Sequence, residues 1–353
     1  MARIERDGPI PFTVWMQSAL YDQEAGFFTR GRGPSARGDF VTSPETGPLF
    51  GMLVARALDR EWVRLGRPER FTVVEAGAGD GRLAREVLRA GPECGHALEY
   101  VLVERSPAAR AAQRERIPAG SPMRALEDLP TGAFTGVVLA NELLDNLVFG
   151  IAEATTDGWA EVRIGLDAGR IVETLAALAP GDRALLPPHD TVAPGTRLPV
   201  VGAAVEWIMR AGALLDAGAL LLIDYAAPAA VLAARGGWLR TYADHRRGDD
   251  PYTAPGSRDI TTDLPLEPVR DAVAAAGLDL VGECTQAEWA AGLGIADLVE
   301  QGRRIWEAGA ARGDLEAIAG RSRAVEAATL TDPDGLGAFV VLEARRPGSG
   351  SDG

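Results

Sequence analysis

Strand-like and helix-like segments alternate through the middle of the chain. β-Branched and aromatic residues run from Phe71 to Glu75, and Leu83, Val87 and Leu88 then recur at helical spacing. The predicted segments are strand 71–75, helix 82–90, strand 99–104, helix 107–117, strand 123–126 and strand 136–140. This alternation predicts an α/β fold with a mainly parallel, doubly wound sheet.

The segment before this core has a different pattern. A helix is predicted near 13–20, and a second amphipathic helix places Leu49, Leu53 and Leu58 on one face. A loop rich in Gly and Arg, which ends in "GDFVTSPE", lies between the two helices. Residues 1–70 are therefore predicted to form an N-terminal helical extension that carries this loop.

Residues 151–199 interrupt the alternation, since "IAEATTDGWAEVRIG" and "RIVETLAAL" indicate antiparallel strands. We predict an inserted β-rich arm there, between core halves at 71–150 and 200–345. The second half is predicted as helix 201–215, strand 219–225, a long polar loop at 226–262, helix 266–276, strand 279–284, helices within 286–328 and strand 337–344. The Gly/Ser-rich tail at 346–353 is predicted to be disordered.

The composition narrows the classes of function. All 36 basic residues are arginine, so a lysine-dependent phosphate loop and Schiff-base catalysis are both excluded. The net charge of −14 disfavours a nucleic-acid partner and favours a cationic one. Cys94, Cys284 and three scattered histidines lack metal-ligand spacing, so no metal site is predicted.

The ends of the chain bear on its location. The sequence has no apolar run of about 18 residues, so no membrane span is predicted. The N-terminal "MARIERDGPIPF" lacks the apolar centre of a secretory signal. A cytoplasmic location is therefore expected.

Three glycines follow the first core strand. Gly77, Gly79 and Gly81 come directly before the first core helix, where open parallel sheets bind nucleotide-like ligands. The dinucleotide fingerprint needs a small residue where this chain has Arg82. The carboxylate of Glu75 suits an ammonium group better than a phosphate. These features favour S-adenosylmethionine, which has an ammonium group and no phosphate.

Two further acidic residues are candidate cofactor ligands. Glu104 ends the second strand, 23 residues after Gly81, where a carboxylate that accepts from ribose hydroxyls is expected. Asp128 follows the third strand. It is either an acceptor for the adenine amino group or a solvated loop carboxylate.

Asn141, Glu142 and Asp145 follow the fourth predicted strand. Glu142 and Asp145 are three residues apart, so a helical turn would place both carboxylates on one face. Paired carboxylates could hold a charged guanidinium and leave one nitrogen to attack a methyl group. The alternative for Asp145 is a carboxylate that stabilises a helix N-terminus.

Seven motifs follow one another along nearly the whole chain: "ALYDQEAGFF", "GDFVTSPETGPLFG", "VVEAGAGDGRLAREVL", "VLVERSPAARAAQRERI", "ANELLDNL", "LLIDY" and "PGSRDITTDL". Together they resemble the MidA-like family of class I S-adenosylmethionine-dependent methyltransferases, which includes the arginine methyltransferase that assists assembly of mitochondrial complex I. The resemblance implies a Rossmann-like sheet of seven strands, the last antiparallel, with an N-terminal extension and an insertion after the fourth strand.

The predicted site residues come from two sources. Glu75, Asp128, Tyr225 and His245 are predicted from their positions in the sequence, and the resemblance implies the others. The predicted cofactor ligands are Glu75, Gly77, Gly79, Gly81, Glu104, Asp128, Asn141, Thr42, Ser43 and Pro44. The predicted acceptor-binding residues are Asp39, Glu45 and Tyr225, and the predicted catalytic residues are Glu142, Asp145 and His245. Tyr225 either lines the pocket or caps the core, and His245 either relays a proton or is a surface histidine. Relatives commonly have a proline where this chain has Val148, which affects the expected choice of acceptor.

The predicted function is transfer of a methyl group from S-adenosylmethionine to a nitrogen of a protein arginine. The expected partner is a protein with an accessible arginine, and the sequence is compatible with a homodimer. The alternatives are a cofactor-binding assembly factor without turnover, a small-molecule N- or O-methyltransferase, and, as a distant possibility, a dinucleotide oxidoreductase.

Overall fold

The computed structural model describes residues 2–28, 42–117, 120–243, 246–310 and 315–347. Two of the predicted site residues, Asp39 and His245, lie outside the described residues, as does the part of the predicted tail from 348 onward. The described residues divide into two compact units. One contains those of 1–40, 143–210 and 224–276, and the other those of 41–142, 211–223 and 277–353. The five domain ranges stated above stay a prediction.

The described helices and strands are numbered in chain order. The helices are α1 Ala2–Asp7, α2 Phe12–Tyr21, α3 Pro48–Arg64, α4 Arg82–Arg89, α5 Pro107–Arg116, α6 Pro180–Arg183, α7 Gly202–Ala213, α8 Ala229–Arg235, α9 Leu266–Ala275, α10 Gln286–Gly292, α11 Ile295–Gly309 and α12 Leu315–Leu330. The strands are β1 Ile10–Pro11, β2 Phe71–Ala76, β3 Leu98–Val103, β4 Met123–Leu126, β5 Phe134–Asn141, β6 Gly150–Ala154, β7 Trp159–Asp167, β8 Arg170–Ala177, β9 Arg197–Val200, β10 Leu215–Asp224, β11 Ala226–Ala227, β12 Leu239–Ala243, β13 Arg246–Gly248, β14 Asp259–Thr262, β15 Leu264–Pro265, β16 Asp279–Thr285 and β17 Val340–Arg345.

A seven-stranded sheet forms the core of the second unit, in the order β16-β17-β10-β5-β2-β3-β4. The pairs from β10 to β4 are parallel, and β17 runs antiparallel to β16. This sheet confirms the predicted fold class. Every residue of β2 is buried, as expected for a central strand covered on both faces.

The helices of this unit follow the predicted apolar pattern. Leu49, Leu53 and Leu58 of α3 are all buried, which confirms the predicted amphipathic helix. The first turn of α3 is anchored by Glu326, whose carboxylate accepts a hydrogen bond from the amide of Leu49 at 2.9 Å. The carboxyl ends of β2, β3 and β5 lie at one edge of the sheet because these strands are parallel neighbours.

The first unit is built on a second sheet, whose described strand pairs are antiparallel. Its order is β1-β7-β6-β9, and β8 pairs with the other side of β7. Strands β6 to β8 form the predicted arm, and the short β1, which the sequence did not indicate, adds an edge strand against β7. A three-stranded sheet β13-β12-β14 and the pair β11-β15 belong to the same unit.

The prediction of a long loop at 226–262 is wrong. This segment contains α8 and the strands β11 to β14. Charged side chains are buried there, among them Arg240 and Asp259. The sequence pattern failed because these polar residues occupy positions that apolar residues usually hold in a strand.

No helix of the described segments is long and apolar enough to cross a membrane. Within those same segments, no group of three or more His, Cys, Asp and Glu side chains is arranged to hold a metal ion.

Gly136 lies on β5 where the backbone of the neighbouring central strand β2 approaches closely. It has φ 157°, and a Cβ atom there would lie 1.8 Å from the carbonyl oxygen of Thr72 on β2. We expect Gly136→Ala to lower the free energy of unfolding by at least about 3 kcal/mol, because two backbones would have to separate. Denaturant unfolding of the purified protein measures this.

Gly158→Ala is the matched control. Gly158 has φ 144°, and nothing lies within 4 Å of a Cβ atom placed there. Its replacement should cost only the backbone strain, about 1–2 kcal/mol. Equal losses for the two variants would show that the clash with Thr72 does not matter.

Candidate active site

The loop between β2 and α4 is shaped by its glycines. Gly77, Gly79 and Gly81 have φ values of 71°, 52° and 79°, which are left-handed conformations that favour glycine. Nothing lies within 4 Å of a Cβ atom placed on Gly79. The loop therefore offers open backbone at the carboxyl end of β2, where a ligand can approach closely.

Glu104 organises this loop. Its Oε2 accepts a hydrogen bond from the amide of Gly79 at 3.0 Å, and its Oε1 accepts from the amide of Ser106 at 2.7 Å. Burial raises the pKa of Glu104, while these backbone hydrogen bonds act in the opposite direction. A carboxylate has about four lone-pair sites, so Glu104 can still accept from ribose hydroxyls. That role stays a prediction.

Two contacts that the sequence did not predict hold the other side of the loop. Gln113 of α5 is buried, and its Nε2 donates to the carbonyl oxygen of Gly79 at 2.7 Å. Arg116, three residues further along α5, pairs with Asp80 at 2.7 Å. The i, i+3 spacing of the two α5 residues is the sequence signal that both could contact one loop.

Glu75 is buried at the end of β2. Its carboxyl group accepts a hydrogen bond from the hydroxyl of Tyr100 at 2.7 Å. Burial raises the pKa of Glu75 to about 8, even though the Tyr100 hydrogen bond lowers it. A cation placed beside Glu75 would favour its ionised form. The predicted ammonium contact stays a prediction.

Glu142 has an unusual backbone. It follows β5 with φ 52°, a left-handed conformation that costs a residue with a side chain about 1–3 kcal/mol. Its amide donates to the carbonyl oxygen of Ile223 at 2.8 Å, which holds this conformation. Strained backbone at a strand end is a known feature of functional sites.

The Glu142 side chain is also held. Its Oε1 accepts from the Asn141 side-chain Nδ2 at 3.1 Å and from the Ser43 amide at 3.0 Å. Within the described residues, the buried Oδ1 of Asn141 has no hydrogen-bond partner. This oxygen can accept a hydrogen bond from a bound ligand.

The segment around Ser43 forms a short 3₁₀ turn, Ser43–Glu45. Ser43 is fully buried, and Pro44 lies at the start of the turn. Oε2 of Glu45 accepts a hydrogen bond from the amide of Thr42 at 3.2 Å, and the role of Glu45 in acceptor binding stays a prediction. This bond stabilises the start of the turn.

The predicted helical turn that would carry both Glu142 and Asp145 is wrong. Glu142 lies outside any helix, and only Leu144–Asn146 forms a 3₁₀ turn. The left-handed φ of Glu142 cannot belong to a right-handed helical turn.

In the first unit, Asp145 is buried and its turn is held by Asp224. One Asp224 oxygen accepts from the amides of Leu144 and Asp145 at 2.8 and 3.3 Å, and the other from the amide of Tyr225 at 2.8 Å. Burial raises the pKa of Asp224 to about 7, against these hydrogen bonds. Sequence reasoning did not single out Asp224, although it is the Asp of "LLIDY".

The ring of Tyr225 packs against a cation. The guanidinium of Arg240 lies 4.0 Å from the ring centroid and also pairs with Asp263. In the same unit, Asn146 Nδ2 donates to Asp259 Oδ1 at 3.0 Å. Asp259 and Asp263 are both buried, and together with Arg240 they explain why this polar segment is ordered.

Asp128 is exposed after β4, and its Oδ1 accepts a hydrogen bond from the amide of Leu129 at 2.8 Å. The predicted contact with adenine stays a prediction.

The residues of the second unit fit S-adenosylmethionine. The open backbone at Gly79, the carboxylate of Glu104 beside it and the unpartnered Oδ1 of Asn141 supply acceptors and space without a basic side chain in the loop. That donor and acceptor set suits a cationic nucleoside better than a diphosphate.

Comparison with known proteins decides the family. A family model described as "Putative S-adenosyl-L-methionine-dependent methyltransferase" matches residues 53–284. The chain belongs to this family. Its activity is S-adenosylmethionine-dependent methyl transfer, and S-adenosylmethionine is its cofactor.

Solved structures and curated relatives agree with this assignment. A crystal structure of a candidate methyltransferase from Burkholderia thailandensis, bound to S-adenosyl-homocysteine, has a TM-score of 0.83 and 30% identity, and the match covers 98% of this chain and 90% of that one. The mitochondrial protein arginine methyltransferase NDUFAF7 of Homo sapiens and its Drosophila melanogaster homologue are each 28% identical over 302 residues. These matches cover 76% of this chain and 67% and 68% of the relatives. The cytoplasmic location and the homodimer stay predictions.

Glu104→Gln tests the ribose assignment in this family member. The amide keeps one acceptor oxygen but loses the charge, so the hydrogen bonds to Gly79 and to the ribose both weaken. We expect the dissociation constant for S-adenosyl-homocysteine, measured by calorimetry, to rise about 10- to 100-fold. Glu69→Gln, at an exposed carboxylate of the same unit that precedes the amino end of β2, should leave it unchanged. An unaltered constant in Glu104→Gln would remove Glu104 from the cofactor site.

Glu75→Gln tests how the buried carboxyl group of Glu75 makes the stability of the protein depend on pH. The folded-state pKa is raised from 4.5 to about 8, so the folded protein holds a proton that the unfolded chain releases in this window. The free energy of unfolding of the wild type should therefore fall as pH rises from 4.5 to about 8 and then level off. Glu75→Gln should lack this contribution. Parallel curves for the two proteins across the window would contradict the assignment.

Proposed function

We propose that this methyltransferase transfers the methyl group to a guanidinium nitrogen of an arginine in a protein. The relatives named protein arginine methyltransferase support this substrate. The net charge of −14 also favours encounter with a cationic protein segment.

The pair Asn141–Glu142 carries the proposal. Two N–H donors converge on Glu142 Oε1, and they stabilise the ionised carboxylate. Asn141 adds a buried acceptor oxygen next to it. A guanidinium has five N–H donors and no acceptor, so it complements a surface of oxygen acceptors. A neutral alcohol has a single O–H donor, so it complements this surface of acceptors less well than a guanidinium does.

The cofactor supplies a methyl group made electrophilic by its sulfonium. Glu142 and Asn141 would hold the guanidinium of the substrate so that positive charge is concentrated away from the nitrogen that attacks. Holding the acceptor in one orientation removes most of the entropic barrier to the reaction. The nitrogen that gains the methyl group must lose a proton, and we assign its removal to the carboxylate of Glu142. Asp145 stays a predicted catalytic residue.

Glu142→Gln tests this function. The amide retains the size of the side chain but loses the charge that pairs with a guanidinium. With labelled S-adenosylmethionine and a lysate from a strain lacking the gene, we expect the wild type to label a protein band. The variant should label it about 100-fold more slowly. Mass spectrometry of that band should locate the methyl group on an arginine.

The control is Glu115→Gln, at an exposed carboxylate on α5, which should label the band at the wild-type rate. Equal labelling by Glu142→Gln would contradict the role of Glu142. Cofactor binding without any labelled protein would favour the assembly-factor or small-molecule alternatives.

A further inference from the structure

The position of Glu142 depends on a residue far away in sequence. Ser43 is fully buried, and its amide is one of the two donors to Glu142 Oε1 at 3.0 Å. Ser43 has in turn one side-chain hydrogen bond in the described structure, from its hydroxyl to Oε1 of Gln286 at 3.0 Å. Gln286 is thus linked to the carboxylate of Glu142 by hydrogen bonds through one intervening residue, Ser43.

Gln286 is held rigidly. It is the first residue of α10 and is buried. Its backbone amide donates a hydrogen bond to the carbonyl oxygen of Phe339 at 2.8 Å. Its Nε2 donates to the carbonyl oxygen of Leu330, the last residue of α12, at 3.1 Å. Since Nε2 faces a carbonyl, Oε1 must be the atom that accepts from Ser43. The orientation of the side chain is therefore defined.

We propose that Gln286 is a positioning residue for methyl transfer, which acts by fixing Ser43 so that the Ser43 amide holds the Glu142 carboxylate. This inference rests on the proposed role of Glu142. The hydrogen bonds run from the end of α12 through Gln286 and Ser43 to Glu142, and all four residues lie in the second unit.

The chain of hydrogen bonds explains two features together. A buried glutamine amide is costly unless both of its polar atoms have partners, and here each has one. Ser43 lies in a 3₁₀ turn too short to hold its own position, so an external contact must fix it. Loss of that contact would let the amide of Ser43 move away from Glu142, and a displacement of about 1 Å in a positioned group can cost two orders of magnitude in rate.

Gln286→Met tests the inference, because methionine fills a similar volume and has no amide. The first measurement needs no activity. With selective ¹⁵N-serine labelling, the amide hydrogen of Ser43 should exchange about tenfold faster in the variant. Unchanged exchange at Ser43 would overturn the inference.

The second measurement is a double-mutant cycle on methyl transfer to lysate protein. We expect Gln286→Met to lower kcat about tenfold and to leave KM for S-adenosylmethionine within about twofold. The double variant with Glu142→Gln should be no slower than Glu142→Gln alone, because Gln286 acts through Glu142. Multiplied losses in the double variant would show a merely structural role and overturn the inference.

Glu288→Ala is the matched control. Glu288 lies on the same helix and caps its start by accepting from the amide of Thr285 at 2.9 Å, but its side chain is exposed. The Glu288→Ala substitution should destabilise α10 without changing kcat or the exchange rate of the Ser43 amide hydrogen. If the wild type labels no protein while Ser43 exchange rises in Gln286→Met, the positional link stands and the proposed substrate is what fails.

Discussion

Carboxylates that accept hydrogen bonds from backbone amides hold the loops at the strand ends in place. Glu104 accepts from Gly79 and Ser106, Glu142 accepts from Ser43, and in the other unit Asp224 accepts from three amides. Each of these loops leaves backbone N–H groups that regular structure cannot satisfy, and an ionised carboxylate is the strongest acceptor available to them. The same groups that could bind a ligand therefore also fix the loops that would surround it.

Two acidic residues at similar sequence positions, each near the end of a core strand, differ in their surroundings and therefore in their properties. Glu75 and Glu104 end neighbouring parallel strands, and both precede a loop. Glu104 receives two amide hydrogen bonds, whereas Glu75 is more deeply buried and receives one hydrogen bond, from a tyrosine hydroxyl, among the described contacts. Burial dominates at Glu75 and raises its pKa to about 8. Glu104 is thus suited to order the loop, and Glu75 to respond to a nearby cation.

Much of the fold could be predicted because local patterns encode it. Strand, glycine loop and helix are contiguous between Phe71 and Arg89, and the carboxyl-end position of Glu104 follows from parallel pairing. The contact of Ser43 with Glu142 spans 99 residues and that of Ser43 with Gln286 spans 243, so neither has any periodicity to reveal it. The error at 226–262 has the same origin, since its order depends on buried polar pairs such as Arg240–Asp263.

The strained backbone of Glu142 indicates why the distant contacts are needed. A left-handed residue directly after a central strand turns the chain sharply and costs free energy that surrounding contacts must offset. The hydrogen bond that the Glu142 amide donates to the carbonyl oxygen of Ile223 fixes the backbone, and the hydrogen bonds from Asn141 and Ser43 fix the side chain. If any one of these were lost, the residue could relax toward an ordinary conformation and the carboxylate would move. A site that depends on one strained residue thus requires support from several parts of the chain, and here that support reaches to α10 and the end of α12.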